Sequence, residues 1–333
     1  MTADTANAPT VPFGALIRRG FLSEYLVLWL SVAYVAAVGP FTPGFFSAGN
    51  FANILITLLP LFVVALGQTV VLITGGIDLS VTSIIALTSV SGAMVMNGEN
   101  GWLAGHPLAV PAGIALMIAL GAVIGLLNGV AITRLGMPPF IVTLTGMMFF
   151  SGFAIWLTKS KAISSLPTSF NALGGKIGIS FLITLVLGGG AQLMLSRSVF
   201  GRWLYAVGHN AKTSHISGVP VHGVVIAAYV SSGFCAAVAS VLYTGQGETG
   251  SPVLGQRILL DIIGATVIGG TSLFGGKGNI VWTLFGVLFL KLIDNSLNLL
   301  NLSIFSITMV KGAVILFAAL MDALRNRFVV RGS

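Results

Sequence analysis

The chain alternates between long unbroken apolar blocks and short polar or Gly/Pro-rich stretches. The blocks fall at about 24–40, 51–74, 79–97, 108–132, 140–158, 177–196, 223–243, 258–274, 280–300 and 303–323, each of a length that crosses a hydrocarbon core as a helix. Turn residues separate them: Gly39-Pro40, the Gly, Asn and Pro of Asn97 to Pro107, and Gly136-Met137-Pro138-Pro139. Two connections are longer, Lys159 to Lys176 and Arg197 to His222, the latter being the longest polar stretch. Continuous runs exclude a transmembrane β-barrel, which would show short alternating segments. The expected fold is all-α: a polytopic helical membrane protein of about ten transmembrane helices. It has a polar tail at 1–17 and a single transmembrane domain at 18–333.

Composition sharpens this. The 333 residues are 56% hydrophobic and 7% charged, with a mean hydropathy of +1.01. Soluble domains carry about 25% charged residues, so no soluble domain of useful size remains. The 43 glycines suit close helix packing in lipid, and one cysteine, Cys235, leaves no disulfide framework within the chain. The net charge of +8 does not point to nucleic acid, because the cations cluster at helix ends. With both termini cytoplasmic, ten of the sixteen fall inside: Arg18, Arg19, Arg134, Arg197, Arg202, Lys212, Lys277, Arg325, Arg327 and Arg331. Four fall outside, Lys159, Lys161, Lys176 and Arg257, while Lys291 and Lys311 lie within helices. This asymmetry sets the orientation. The first apolar block follows Arg18 and Arg19 and lacks a small-x-small cleavage site, so it reads as a retained helix.

Two interruptions stand out. Thr74-Gly75-Gly76-Ile77-Asp78-Leu79-Ser80-Val81 separates two long apolar runs, and Gly269-Gly270-Thr271-Ser272-Leu273-Phe274-Gly275-Gly276-Lys277-Gly278-Asn279 separates two others. A carboxylate and a glycine pair at membrane depth belong where protein or water surrounds them. Paired interruptions in two halves point to a transport path. Asp78 can cap the free N–H groups of the following helix and match its positive end, with Ser80 as the other capping candidate. Contact with a solute or with a partner are the remaining readings. A weak internal repeat links Gly125-Leu126-Leu127-Asn128-Gly129 and Phe140 to Gly146 with Leu292-Ile293-Asp294-Asn295-Ser296 and Phe305 to Gly312. It fits an inverted repeat of two five-helix halves, and equally fits chance similarity between apolar helices.

The remaining chemistry is sparse. Arg257 and Asp261 are four apart and Lys291 and Asp294 three apart, spacings that predict two local ion pairs. His209, His215 and His222 share one loop without ligand spacing or a supporting cysteine, so no metal is expected. Gly188-Gly189-Gly190 has no following Lys-Ser or Lys-Thr, so the chain itself should not bind ATP. No Gly-x-Ser-x-Gly or His-Glu-x-x-His motif suggests an intramembrane enzyme, and no cofactor is expected.

Gly75-Gly76-Ile77-Asp78-Leu79-Ser80-Val81 resembles the hallmark of the membrane permeases of ABC-type sugar importers, the ribose, xylose and galactose permease family. Four further stretches resemble that family in order along nearly the whole chain: Pro139 to Met147; Gly201 with Ala206 to Asn210 and Ile216 to Val219; Ile268 to Gly278; and Lys311 to Ile315. Departures are Thr82 after Val81, His209, Thr213-Ser214, and Leu259-Leu260-Asp261 where many members have Glu-Leu-Asp. The last bears on any sugar borrowed from ribose permeases. The resemblance implies a permease that moves a small sugar into the cytoplasm across a bacterial inner membrane. Its expected partners are an ATP-binding-cassette ATPase subunit, an extracytoplasmic sugar-binding protein, a second permease chain and membrane lipid, with no nucleic acid. Arg197 to His222 is the implied coupling loop, with Gly208, Asn210, Ser217 and Gly218 as its residues. Asn210 would cap a short helix over Ala211 to Ile216, ended by Gly218 and Pro220. Gly75, Gly76, Asp78, Ser80, Gly269, Gly270, Gly275 and Gly276 are the break residues. Gln68, Asn128, Phe140, Thr143, Asn295 and Asn298 supply amides, hydroxyls and an aromatic face for a sugar path. The competing class is a self-sufficient, ion-coupled secondary transporter.

Overall fold

The structure, a computed structural model, describes residues 26–330; the tail at 1–17, Arg18, Arg19 and Arg331 lie outside the described residues. Among the described residues the fold is all-helical, with helices α1 (Leu26–Val38), α2 (Ala48–Ile73), α3 (Val81–Met96), α4 (Ala109–Arg134) and α5 (Pro139–Thr158) in the first part. They are followed by α6 (Thr168–Gly175), α7 (Ile177–Arg197), α8 (Val199–His209), α9 (Ala211–Ile216), α10 (Val221–Gly247), α11 (Leu259–Ile268), α12 (Ile280–Leu299) and α13 (Ile304–Val330). Six of them, α2, α4, α5, α7, α10 and α12, are long and apolar enough to cross a membrane. Four shorter apolar stretches, Val27–Phe41, Val81–Met96, Leu259–Ile268 and Ile304–Leu320, correspond to the other predicted crossings. The chain is a multi-pass helical membrane protein.

The core explains why α2 and α3 read as uniformly apolar. Helix α3 is buried along almost its whole length and α2 from Leu58 to Ile73, so neither needs a charged face. Helix α10 lies against both, and its main partner is α4. That pair meets through backbone. A Cβ added at Gly121 would overlap the Gly233 carbonyl, one at Gly125 the Tyr229 carbonyl, and one at Gly129 would lie 2.8 Å from Ile226 Cα. The row Gly121, Gly125, Gly129 repeats every fourth residue and presents one smooth face, the small-residue packing that replaces hydrophobic drive in lipid.

Two of the predicted connections are structured. In the Lys159 to Lys176 loop, α6 packs on α10, and Ile163 pairs with Gly250 through N–H···O bonds of 2.8 and 2.9 Å. The Arg197 to His222 stretch contains two helices, α8 and α9. The eighth predicted helix is shorter than its apolar pattern. It stops at Ile268, where Gly269 caps it and Gly270 takes φ +82°, a backbone that only glycine adopts freely. Helix α4 runs toward the end of the bundle that carries the breaks and α12 runs away from it, so the two repeat copies have opposite senses.

Candidate functional site: two helix breaks beneath a two-helix clamp

The first break is held by side chains. Asp78 is wholly buried at 0% exposure. Its Oδ1 accepts from the Ser80 N–H at 3.0 Å and the Ser80 hydroxyl at 2.6 Å, and its Oδ2 accepts from the Ser232 hydroxyl of α10 at 2.8 Å. Ser80 in turn accepts from the Asn128 amide of α4 at 2.8 Å. The backbone carbonyl of Ile77 receives Thr143 of α5 at 3.2 Å and Tyr229 of α10 at 3.3 Å. One short segment thereby fastens the start of α3 to α4, α5 and α10. This corrects the simple capping expectation. Ser80 occupies the cap position of α3 and makes no side-chain cap bond. Asp78, two residues earlier, closes a local turn on the Ser80 N–H instead of reaching the first turn of the helix. Asn128 and Thr143, expected along a sugar path, are engaged in fixing the break.

The second break is held by backbone. The Gly276 N–H donates to the Ile73 carbonyl at 2.9 Å, and the Ser272 N–H to the Lys277 carbonyl at 3.0 Å. Gly275 (φ +85°) packs so that an added Cβ would lie 2.9 Å from both the Gly75 nitrogen and the Gly208 carbonyl. Gly269 fits against the Trp282 carbonyl, 2.5 Å from where its Cβ would be. Gly76 has φ outside the left-handed region and is small because the Tyr229 hydroxyl occupies the space, 2.6 Å from an added Cβ. Gly270 faces open space, so only its φ demands glycine.

Helix α8 joins the two breaks. Ser198 caps it, accepting from the Gly201 N–H at 2.9 Å, and Leu204 and Val207 bury its apolar side. At its far end Gly208 lies against both breaks at once: an added Cβ would overlap the Ile73 carbonyl and the Gly276 nitrogen. The Tyr205 hydroxyl donates to the Gly278 carbonyl at 2.8 Å, and burial pushes this phenol's pKa up, so it stays a donor. The His209 ring covers Gly276. Helix α9 follows as its sequence predicts. Asn210 accepts from the Thr213 N–H at 2.9 Å, and Gly218 ends the turn at φ +83°. Ser217 closes α9 through its backbone N–H to the Thr213 carbonyl, and Ile216 projects at 79% exposure. A shallow cleft lined by Arg134, His215, Val219 and His222 lies beside it.

The other expected path residues are dispersed. Asn295 exchanges two amide hydrogen bonds with Asn50, at 2.9 and 2.8 Å, at the opposite end of the bundle. Asn298 donates to the Asp294 carbonyl at 2.6 Å, Phe140 is exposed at the start of α5, and Gln68 is buried in α2. The predicted local ion pairs do not form. Lys311 of α13 instead reaches Asp261 of α11 at 2.9 Å and Asp294 of α12 at 3.2 Å. Arg257 precedes the first turn of α11, so the four-residue helix spacing never applies to it, and Asp294 turns toward α13 rather than along its own helix. Ser232, Tyr229 and Tyr205 were not singled out by the sequence: each acts across more than fifty positions, and nothing local marks it.

The fold and this site define the class: a multi-pass helical protein whose two interrupted spans meet beneath one protruding helical element. Residues 50–319 match the family described as branched-chain amino acid transport system / permease component, and the chain belongs to that family. It is 34% identical over 321 residues to the ribose import permease protein RbsC of Escherichia coli (strain K12), covering 94% of this chain and 98% of the relative. It is 38% identical over 308 residues to RbsC of Bacillus subtilis (strain 168), covering 90% and 92%. Similarity extends to the L-arabinose transport system permease protein AraH of Escherichia coli (strain K12), 31% over 319 residues, covering 93% and 92%. No solved structure matches the chain.

Proposed function

We propose that the chain is the permease subunit of an ATP-binding-cassette importer that carries a small uncharged sugar, a monosaccharide or related polyol, from a binding protein into the cytoplasm. The observation that carries this is the junction of α8 with both breaks. A partner that moves α8 and α9 moves the ends of α2, α3, α11 and α12 with them. That is how a chain without its own nucleotide motif can receive work from a separate ATPase. Arg197 to His222 is the coupling loop within a single permease domain, 18–333. Ile216, an exposed isoleucine beside the Gly218 turn, is the apolar contact offered to the ATPase. The relatives import ribose or are named for L-arabinose transport, and full-length similarity to them supports a sugar as cargo. A second permease chain completes the path, and an extracytoplasmic binding protein delivers the solute to the α6 end.

Both termini then face the cytoplasm of a bacterial inner membrane, as the positive-inside count requires. Cysteine labelling checks this in a Cys235→Ala background. A probe at Ser169 reacts from outside and one at Lys212 only from inside, and the reverse pattern contradicts the orientation. Function is tested in vesicles holding the permease, its ATPase and its binding protein. Uptake of ribose or arabinose should need all three and ATP. Uptake by the permease alone, driven by an ion gradient, would establish the secondary-transporter alternative instead.

A further inference from the structure

Gln68 sits in the buried C-terminal half of α2, at 0% exposure, and neither its Oε1 nor its Nε2 has a hydrogen-bond partner among the described residues. Asn171, Thr184, Gln192, Tyr243 and Thr271 each leave one buried polar atom unpaired, whereas Gln68 leaves both. Thr69, the next residue, bonds the Ala65 carbonyl at 2.8 Å and the Thr283 hydroxyl at 2.9 Å. Asp78, Asn128 and the Asn50–Asn295 pair are likewise satisfied. An amide buried without partners forfeits its hydration and gains nothing. Leucine fits the same helix and the same apolar surroundings without that penalty. A buried amide that costs stability is a candidate functional position.

A second orphan lies close by. The Thr271 hydroxyl, in the second break, is buried at 0% and also unpaired. A Cβ added at Gly278 would meet Ile73 Cγ1 at 2.7 Å and Thr271 Cγ2 at 3.1 Å, so Thr271 flanks Ile73. Ile73 is about 7.5 Å further along the α2 axis from Gln68. Thr271 thus lies at the end of α2, and Gln68 lies five residues before Ile73 on the same helix, at a different angle around it.

We propose that Gln68 is a substrate-contacting, specificity-determining residue, closed over in this conformation and uncovered when α2 parts from its neighbours. The inference rests on the importer reading. A neutral amide offers one donor group and one acceptor, which is what a sugar hydroxyl offers in return. The pair exchanges two hydrogen bonds with no charge to desolvate, so the site suits an uncharged polyol and not an ionic solute.

The test uses the complete transporter in vesicles and a panel made of the transported sugar and its mono-deoxy analogues. Gln68→Leu should fold with a Tm no lower than wild type and lose about tenfold or more in sugar uptake. For one analogue the wild-type penalty of about tenfold should vanish in Gln68→Leu, because the missing hydroxyl and the missing amide are partners. Discrimination by the binding protein is common to both permeases and cancels in this ratio of ratios. Gln68→Asn, with the same groups on a shorter stem, should fall between the two. The inference is overturned if every analogue keeps its wild-type penalty, if uptake is unchanged, or if Gln68→Leu fails to fold, which would show a structural partner for the amide. A wild type that carries no sugar would sink the importer reading along with it, whereas a working wild type with an indifferent Gln68→Leu sinks only this inference.

Discussion

The two breaks do the same topological work by different means. The first is fastened by side chains from three helices that converge on Asp78, Ser80 and the Ile77 carbonyl. The second is fastened by backbone against backbone, with glycines where a Cβ would collide. In a membrane interior an unpaired backbone polar group is costly. A carboxylate network avoids this with groups that cannot be removed singly, and a glycine segment avoids it by letting carbonyls and N–H groups approach directly. The first arrangement makes a fixed point. The second makes a close backbone seat for α8, since Gly75, Gly208 and Gly275 let the chains touch directly while Tyr205 and His209 hold the helix on it.

This difference predicts opposite sensitivities. The largest effect should come from Asp78→Leu, which strands three buried donors at about 1–3 kcal/mol each. The protein should fail to accumulate in the membrane. Asp78→Asn keeps acceptor capacity and should accumulate, with a lowered Tm. A well-folded Asp78→Leu protein in a thermal-shift assay would show that the network is dispensable.

Next in size is Lys311→Met, away from both breaks. It leaves Asp261 and Asp294 without their shared cation, at a cost of roughly 3–5 kcal/mol. Adding Asp261→Asn and Asp294→Asn should restore much of the Tm. If the double Asn change brings no recovery, Lys311 does not act by neutralising those acids.

Smaller again are changes within the glycine surfaces, and here position decides. Gly208→Ala drives a methyl into the Ile73 carbonyl and should cost about 1–3 kcal/mol or more through overpacking, with uptake abolished. Gly270→Ala meets open space and suffers only its positive φ, roughly 1–2 kcal/mol, so uptake should persist at a reduced level. Equal losses in the two would mean that backbone contact is not what holds the second break.

Much of this was legible in the sequence. The apolar blocks placed most of the long helices within a few residues, and the glycine pairs marked both breaks. Asn210 and Gly218 defined α9, because a cap and a left-handed stop are local signals. Three things were not legible. The eighth block looked longer because Leu273 and Phe274 continue its hydrophobicity, although Gly269 and Gly270 had already ended the helix. Helix α8 was hidden inside what read as a polar loop, although Phe200, Trp203, Leu204 and Val207 recur there at helical spacing. The ion pairs were misassigned because neighbours in sequence compete with Lys311, which arrives on another helix. The sugar-path residues divide the same way: Asn128, Thr143 and Asn295 have the right chemistry, and their structural partners are visible only once the helices are packed.

In the proposed coupling, α8 and both breaks move as one body. A cysteine pair at His209→Cys and Lys277→Cys, in a Cys235→Ala background, joins α8 to the second break with a short bifunctional reagent. The measurement is ATP-driven sugar uptake before and after cross-linking, in vesicles with the ATPase and binding protein present. One body predicts cross-linking of equal yield with and without nucleotide, and uptake that survives it. Cross-linking confined to one nucleotide state, or uptake lost on cross-linking and recovered on cleaving the link, would mean that α8 slides over the break and does not carry it.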